Sequence, residues 1–376
     1  MDAAKQKRIV ELATGRVADR AQGIELLRAA DDRALWSEAL STIIQRSVGG
    51  RPQISLDHLP LLAAAPADLP EAVAIRESTR EMWLGDTVPE TLRSLPRLAT
   101  VRISGLRASP LRPATGLEIL ASLGDLRTLE VQSLDLGDGR GLAPLSLHSL
   151  RMMETTYATL PKLDVESFEL GAFTAITTLG AGLPAVRRVV VSGKAELASI
   201  EALAGSTMLE DVELRGARTT ADFSPLEHAV AGGAPLRRVV VQHATELTNL
   251  ATFARASKLE HLALEDVPKL ATLDHVASLS ALLHLGVRGA ALLTDVAPVA
   301  KLSRLRVLDL RGCAAIGDLT PLVGMPALRV IALAGTAIEP GAAPRALAPY
   351  CTWATRPHLE ALGARPVHPE ATLGAH

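Results

Sequence analysis

From Leu236 onward the apolar positions recur with a fixed period. Segments of one pattern begin at Leu236, Leu259, Leu282, Leu305 and Leu328, and each step (259−236, 282−259, 305−282, 328−305) is 23 residues. Each segment reads L-x-x-L-x-L, then a small residue, then apolar positions that lead back to the next Leu. Alternation in L-x-L places two side chains on one face of a strand and the intervening one on the other. The remaining apolar positions close a coil against that inner face. Equal steps with matching apolar positions are the mark of a repeat architecture in which each coil buries its aliphatics against its neighbours.

Upstream the same pair recurs at Met82/Leu84, Val101/Ile103, Leu129/Val131, Leu150/Met152, Phe168/Leu170, Val189/Val191 and Val212/Leu214, with uneven steps. With Val239/Val241, Leu262/Leu264, Leu285/Val287, Leu308/Leu310 and Ile331/Leu333, this makes 12 coils. The pattern resembles the bacterial leucine-rich-repeat family with repeats of 23 residues. That resemblance implies an α/β solenoid with a curved parallel sheet on its concave face and protein binding as its general use. Many members carry Asn after the strand; here Ala217, Ala244, Val267, Ala290, Cys313 and Thr336 stand there. Gly105, Gly193, Gly216, Gly289, Gly312 and Gly335 precede that position, so glycine flexibility is expected to make the bend. Prolines in Thr294–Val299 and Gly317–Leu322 predict short helical or 3₁₀ turns outside. The 27-residue step from Val212 to Val239 predicts a bulge around Ala229–Ala234.

The ends depart from the repeat. Residues 1–50 read as a helical N-terminal cap of three short helices, marked by Ile9, Val10 and Leu12, by Ile24, Leu26 and Leu27, and by Leu35, Trp36, Ala39, Leu40, Ile43 and Ile44, with Asp31 or Asp32 capping the third. This cap resembles a single HEAT-type helical unit. Residues 51–79, with Pro52, Pro60, Pro66 and Pro70, read as a connector or degenerate first repeat, residues 80–338 as the solenoid, and residues 339–376 as a C-terminal cap and tail, with a last strand near Thr352–Ala354 and a loose final dozen residues.

Composition narrows the function. The 376 residues are 48% hydrophobic and 21% charged, with four Phe, three Trp and two Tyr, which describes an aliphatic core. A net charge of −2 gives no global field for nucleic acid. No apolar span approaches the ~20 residues of a membrane helix, and charges interrupt the N-terminus where a signal peptide would need an apolar stretch. With only Cys313 and Cys351, a reducing, cytoplasmic location is expected. Abundant Arg, Ala and Gly point to a GC-rich bacterial source.

No phosphate loop, serine elbow, zinc helix or C-x-x-C motif occurs, so neither an enzyme nor a cofactor is expected. His261 and His284, one repeat apart, continue as Val307 and Val330, so no third metal ligand follows; both read as ordinary exposed histidines. The outward positions of six strands define the candidate partner-binding face: Arg188, Asp211, Glu213, Arg215, Arg238, Gln242, His261, Glu265, His284, Arg288, Asp309 and Arg311. Twelve strands about 4.8 Å apart, with roughly 13 Å of each exposed, present on the order of 750 Å², near the ~800 Å² per partner of a standard interface. The leading reading is a non-enzymatic recognition or scaffold module for a protein partner, with charge reversal at Arg215, Arg288 and Arg311 expected to spare the fold. The alternatives are a self-assembling structural protein and a regulatory or inhibitory subunit of an enzyme, of toxin-immunity or phosphatase-regulator type.

Overall fold

The computed structural model describes residues 2–46, 52–107, 110–172, 176–193, 197–215, 219–220 and 222–354. The expectations for Gly216, Ala217 and the chain from 355 on lie outside them. The chain divides into two compact units, residues 1–174 and 175–376.

The first unit opens with α1 (Ala3–Thr14), α2 (Val17–Ala30) and α3 (Arg33–Ile43). Asp32 caps α3 by accepting the Ala34 N–H at 2.9 Å, while Asp31 takes a left-handed conformation that ends α2. Ile9, Val10, Ile24, Leu27, Leu35, Trp36, Leu40 and Ile43 are buried. Gly23 lets α1 and α2 touch, since a Cβ there would stand 2.2 Å from the Ala13 nitrogen. Within residues 51–79, read above as a connector or degenerate first repeat, the chain forms two more helices, α4 (Leu59–Ala64) and α5 (Pro70–Ser78). Pro60 and Pro70 lie in the first turns, where the missing N–H costs nothing and the fixed φ suits the helix. These prolines start helices rather than break them.

Five parallel strands follow: β1 (Glu81–Leu84), β2 (Thr100–Ser104), β3 (Thr128–Gln132), β4 (Ser146–Met153) and β5 (Asp164–Ala172). The 18-residue step between Leu150 and Phe168 arises because β4 and β5 pair from Ser146↔Asp164 to Met153↔Gly171, leaving a shortened return.

The second unit stacks eight parallel strands: β6 (Arg188–Gly193), β7 (Asp211–Arg215), β8 (Arg238–Gln242), β9 (His261–Glu265), β10 (His284–Arg288), β11 (Val307–Asp309), β12 (Val330–Ala332) and β13 (Cys351–Thr352). From β8 to β12 the register equals the sequence period, as in Val239↔Leu262, Leu262↔Leu285, Leu285↔Leu308 and Leu308↔Ile331. All five of these aliphatics are fully buried. The last strand begins at Cys351 rather than Thr352, pairing Ile331↔Cys351. Its neighbour Trp353 is anchored by Nε1–H to the Ile338 carbonyl at 2.8 Å.

The outer returns are 3₁₀ turns, including Ala297–Lys301 and Thr320–Leu322. The long step to Val239 is absorbed by α6 (Ser224–Ala231), a helix where other coils have a 3₁₀ turn. A column of polar caps starts these returns. Ser199, Asp222, Asn249, Thr272, Asp295 and Asp318 each accept the backbone N–H two residues on, at 2.7–3.2 Å. Such caps satisfy donors that the outer turn leaves open. At the position after the strand, Ala244, Val267 and Ala290 are buried apolar groups, and the buried Cys313 thiol donates to the Val287 carbonyl of the coil before at 3.1 Å.

The bend after each strand is only partly a glycine device. Gly193, Gly289, Gly312 and Gly335 have φ between +70° and +84°, yet Ser133, Glu154, His243 and Asp266 hold the equivalent place at φ +53° to +61°. Gly105 is not left-handed; it is small because Ser133 O would stand 2.5 Å from a Cβ. Of the left-handed glycines at this bend, Gly312 is the more crowded, with φ +75° and a Cβ that would press on the Gly289 backbone at 3.2 Å, against 3.5 Å at Gly289 and 3.4 Å at Gly335. Among the described residues, no helix is long and apolar enough to cross a membrane.

Two substitutions test these devices by urea denaturation. Asn249→Ala is expected to cost about 1 kcal/mol, the worth of a cap. Gly312→Ala is expected to cost about 1–3 kcal/mol through left-handed strain, and an unchanged midpoint would contradict the tight stacking of the Gly column.

Candidate functional site

The register of the second unit arranges its outward side chains in three rows across the strands. The first runs Arg188, Asp211, Arg238, His261, His284, Val307 and Val330. The middle row runs Val190, Glu213, Val240, Ala263, Gly286, Asp309 and Ala332. The third runs Arg215, Gln242, Glu265 and Arg288, and the Gly289 N–H bonded to the Arg311 carbonyl at 2.9 Å carries it on toward Arg311. Stacked parallel coils offset by one 23-residue step, with an L-x-L strand inside and a 3₁₀ return outside, define one architecture. The chain has the leucine-rich-repeat fold.

No family model matches the sequence of this leucine-rich-repeat chain, and no curated protein matches it. Among solved structures it is similar to an internalin from Listeria monocytogenes at 17% identity, covering 75% of this chain and 88% of that one with a TM-score of 0.46. A leucine-rich-repeat protein from Leptospira interrogans is similar at 14% identity, covering 75% and 84%, with a TM-score of 0.42. The leucine-rich-repeat domain of the type III effector XopL is similar at 17% identity, covering 81% and 95%, with a TM-score of 0.38.

The leucine-rich-repeat register brings the charged candidates into two clusters. On β6–β8, Arg188 Nε reaches Asp211 at 3.4 Å, and Arg238 Nη1 reaches both Asp211 (2.8 Å) and Glu213 (3.0 Å). Arg215 Nε donates to the other oxygen of Glu213. On β9–β11, Arg311 binds Asp309 in a fork through Nε (2.9 Å) and Nη2 (2.7 Å), while Arg288 joins Asp309 at 2.7 Å and Glu265 at 3.5 Å. Gln242 lies in the third row between the clusters.

Two outward residues are not surface groups. Asp309 and Glu213 are buried, because short middle-row neighbours let the arginines fold over them. Burial pushes both carboxyls up, but the guanidinium charges and hydrogen bonds outweigh it and hold both below the ordinary range. Removing one partner of a buried pair strands the other's charge at several kcal/mol. The expectation that reversal at Arg288 and Arg311 spares the fold is therefore corrected, since both hold Asp309. Arg188 and Arg215 are the outward arginines whose change leaves Asp309 paired.

The histidines also differ from ordinary exposed residues. His261 and His284 stack between the clusters, with centroids 4.1 Å apart and His284 Nδ1 3.2 Å from His261 Nε2. Burial, then His284 and Arg238, take His261 down to about 3. Burial dominates at His284 as well, and with three arginines it outweighs the pull of Asp309, taking that ring down to about 4. Among the described residues, no group of three His, Cys, Asp or Glu is placed to hold a metal ion. Cys313 is buried, which pushes its thiol up to about 11.

Sequence reasoning passed over the first unit. There the middle row reads Trp83, Arg102, Glu130, Arg151, Glu169, an alternating ladder. Arg102 lies 4.8 Å over the exposed Trp83 ring and bonds Glu81 and Glu130, and Arg151 meets Glu169 at 3.2 Å. Trp83, Arg102, Glu130 and Arg151 line a depression of about 380 Å³ with Arg107, Met153 and Glu154. The signal was the x of each L-x-L pair, obscured by the uneven steps.

The depressed imidazoles make a pH prediction. Below about 6.5 the unfolded chain binds protons that the folded rings refuse, so stability falls with pH until about 4 to 3, where the folded rings protonate. Glu213 and Asp309 act lower: their contribution is full above about 4 and is lost as pH falls through their depressed values. Urea titrations at pH 7 and about 4.5 should show a smaller loss for the His261→Gln/His284→Gln variant than for the parent. Equal losses would mean that the rings are solvated.

Proposed function

We propose that this chain is a non-enzymatic protein-recognition module, and that the outward face of β6–β11 holds a protein partner. The observation that carries the reading is the array of arginines on a rigid sheet, each braced by a carboxylate. Arg is the commonest charged anchor at interfaces, and a braced guanidinium loses little freedom on binding. The face offers little for acid–base catalysis: its carboxylates are locked in ion pairs, and its imidazoles are weak bases near neutrality.

The test is affinity capture from the native host followed by mass spectrometry, with the Arg188→Glu/Arg215→Glu variant beside the parent. The parent is expected to retain a protein that the variant loses by about tenfold or more, with the variant still folded but less stable, because Arg215 also braces the buried Glu213. A partner retained in full by the variant would place the binding surface elsewhere.

A further inference from the structure

The charged side chains of the β6–β11 face are layered. Against the strands lie the carboxylates, with Asp309 0%, Glu213 9% and Asp211 15% exposed. Over them lie the guanidiniums, with Arg215 54%, Arg188 35% and Arg288 34% exposed. By formal charge the face is nearly balanced, five Arg against four carboxylates. By what solvent meets, N–H donors predominate, with Glu265, 39% exposed beside Arg288, the one carboxylate that shares the surface with them. The lone pairs of Asp309 and Glu213 face arginines, whereas a guanidinium has five donors and Arg215 commits its Nε to Glu213 while half the side chain stays open.

Resting on the recognition reading above, we propose that the occupant of this face is an extended acidic stretch of a protein partner, crossing the strands with its Asp or Glu side chains on the arginines. Charge-assisted, fork-shaped bonds to carboxylates are what such donors make best. The spacing suits an extended chain. Arg215 and Arg288 share a row three strand steps apart, about 14 Å at ~4.8 Å per step, which an extended peptide advancing ~3.4 Å per residue covers in about four residues. Between them in their own row stand Gln242 and Glu265, and beside these the middle row is Val240, Ala263 and Gly286, short enough to let a backbone pass. A helix rises only ~1.5 Å per residue and would turn its second carboxylate to the far side over that distance. A nucleic acid, the competing anionic occupant, is an outcome that the experiment separates.

The experiment is fluorescence anisotropy of the intact chain with a labelled peptide of repeated Glu-Ser-Gly-Ser, about 20 residues long, alongside its Gln and Lys counterparts and an oligouridylate of equal length. The Glu peptide is expected to bind at least about tenfold more tightly than the Gln peptide, the Lys peptide not at all, and the Arg188→Gln/Arg215→Gln variant to lose most of the Glu-peptide affinity while staying folded, since Arg238 remains on both Asp211 and Glu213. Equal binding of Glu and Gln peptides, full binding by the variant, or tighter binding of the oligouridylate would each overturn the proposal. If the Glu peptide fails while the captured host protein still depends on Arg188 and Arg215, the acidic occupant falls and the recognition face stands. If the peptide binds through those arginines while the captured protein ignores them, the recognition face falls instead.

Discussion

A coil of 23 residues has an inner face of a few aliphatics and no partner for its strand, so it cannot stand alone. In-register stacking supplies both at once. When Leu262 meets Leu285 and Leu285 meets Leu308, each strand gains its hydrogen bonds and each leucine its burial from the same neighbour. Every other feature is subordinate to that register: the left-handed residue after the strand, the polar cap before the outer turn, and the rows of charge on the open face. A shift of one residue would break all three together, because side chains on a strand alternate between faces.

The strands were legible because their signal is repeated. The first aliphatic of every L-x-L pair from Met82 to Ile331 lies in a strand, and one weak coil is read with help from its neighbours. The turns were less so, because a left-handed conformation can be bought with glycine or endured by a polar residue. His243 and Asp266 occupy the place that Gly289 and Gly312 hold in later coils. The cap column escaped notice for a related reason, since Ser199, Asn249, Thr272 and Asp295 share an acceptor oxygen rather than a residue type. Pro60 and Pro70 carry a related ambiguity, since a proline can open a helix in its first turn, and both stand there in α4 and α5.

For the candidate site, the sequence assigns the row of each residue but not its depth. Asp309 and Arg311 are both outward positions two residues apart, yet one is sealed and the other covers it. Depth is set by the neighbours in the row, here the small Gly286 and Ala332 on either side of Asp309. A small flanking residue on adjacent coils is thus the sign that an outward carboxylate will be roofed by a long basic side chain. The same interplay of row and depth governs the Trp83–Glu169 ladder, where large residues at every step keep the charges partly exposed.

One further property follows from α6. The coil that contains it is longer than its neighbours, yet β7 and β8 pair across it without a slip, Val212 opposite Val239 and Leu214 opposite Val241. Added length was diverted to the back of the molecule and wound up there, where no hydrogen bond of the sheet depends on it. The outer rim is therefore the place where such a fold can take up added residues without disturbing the register of the sheet.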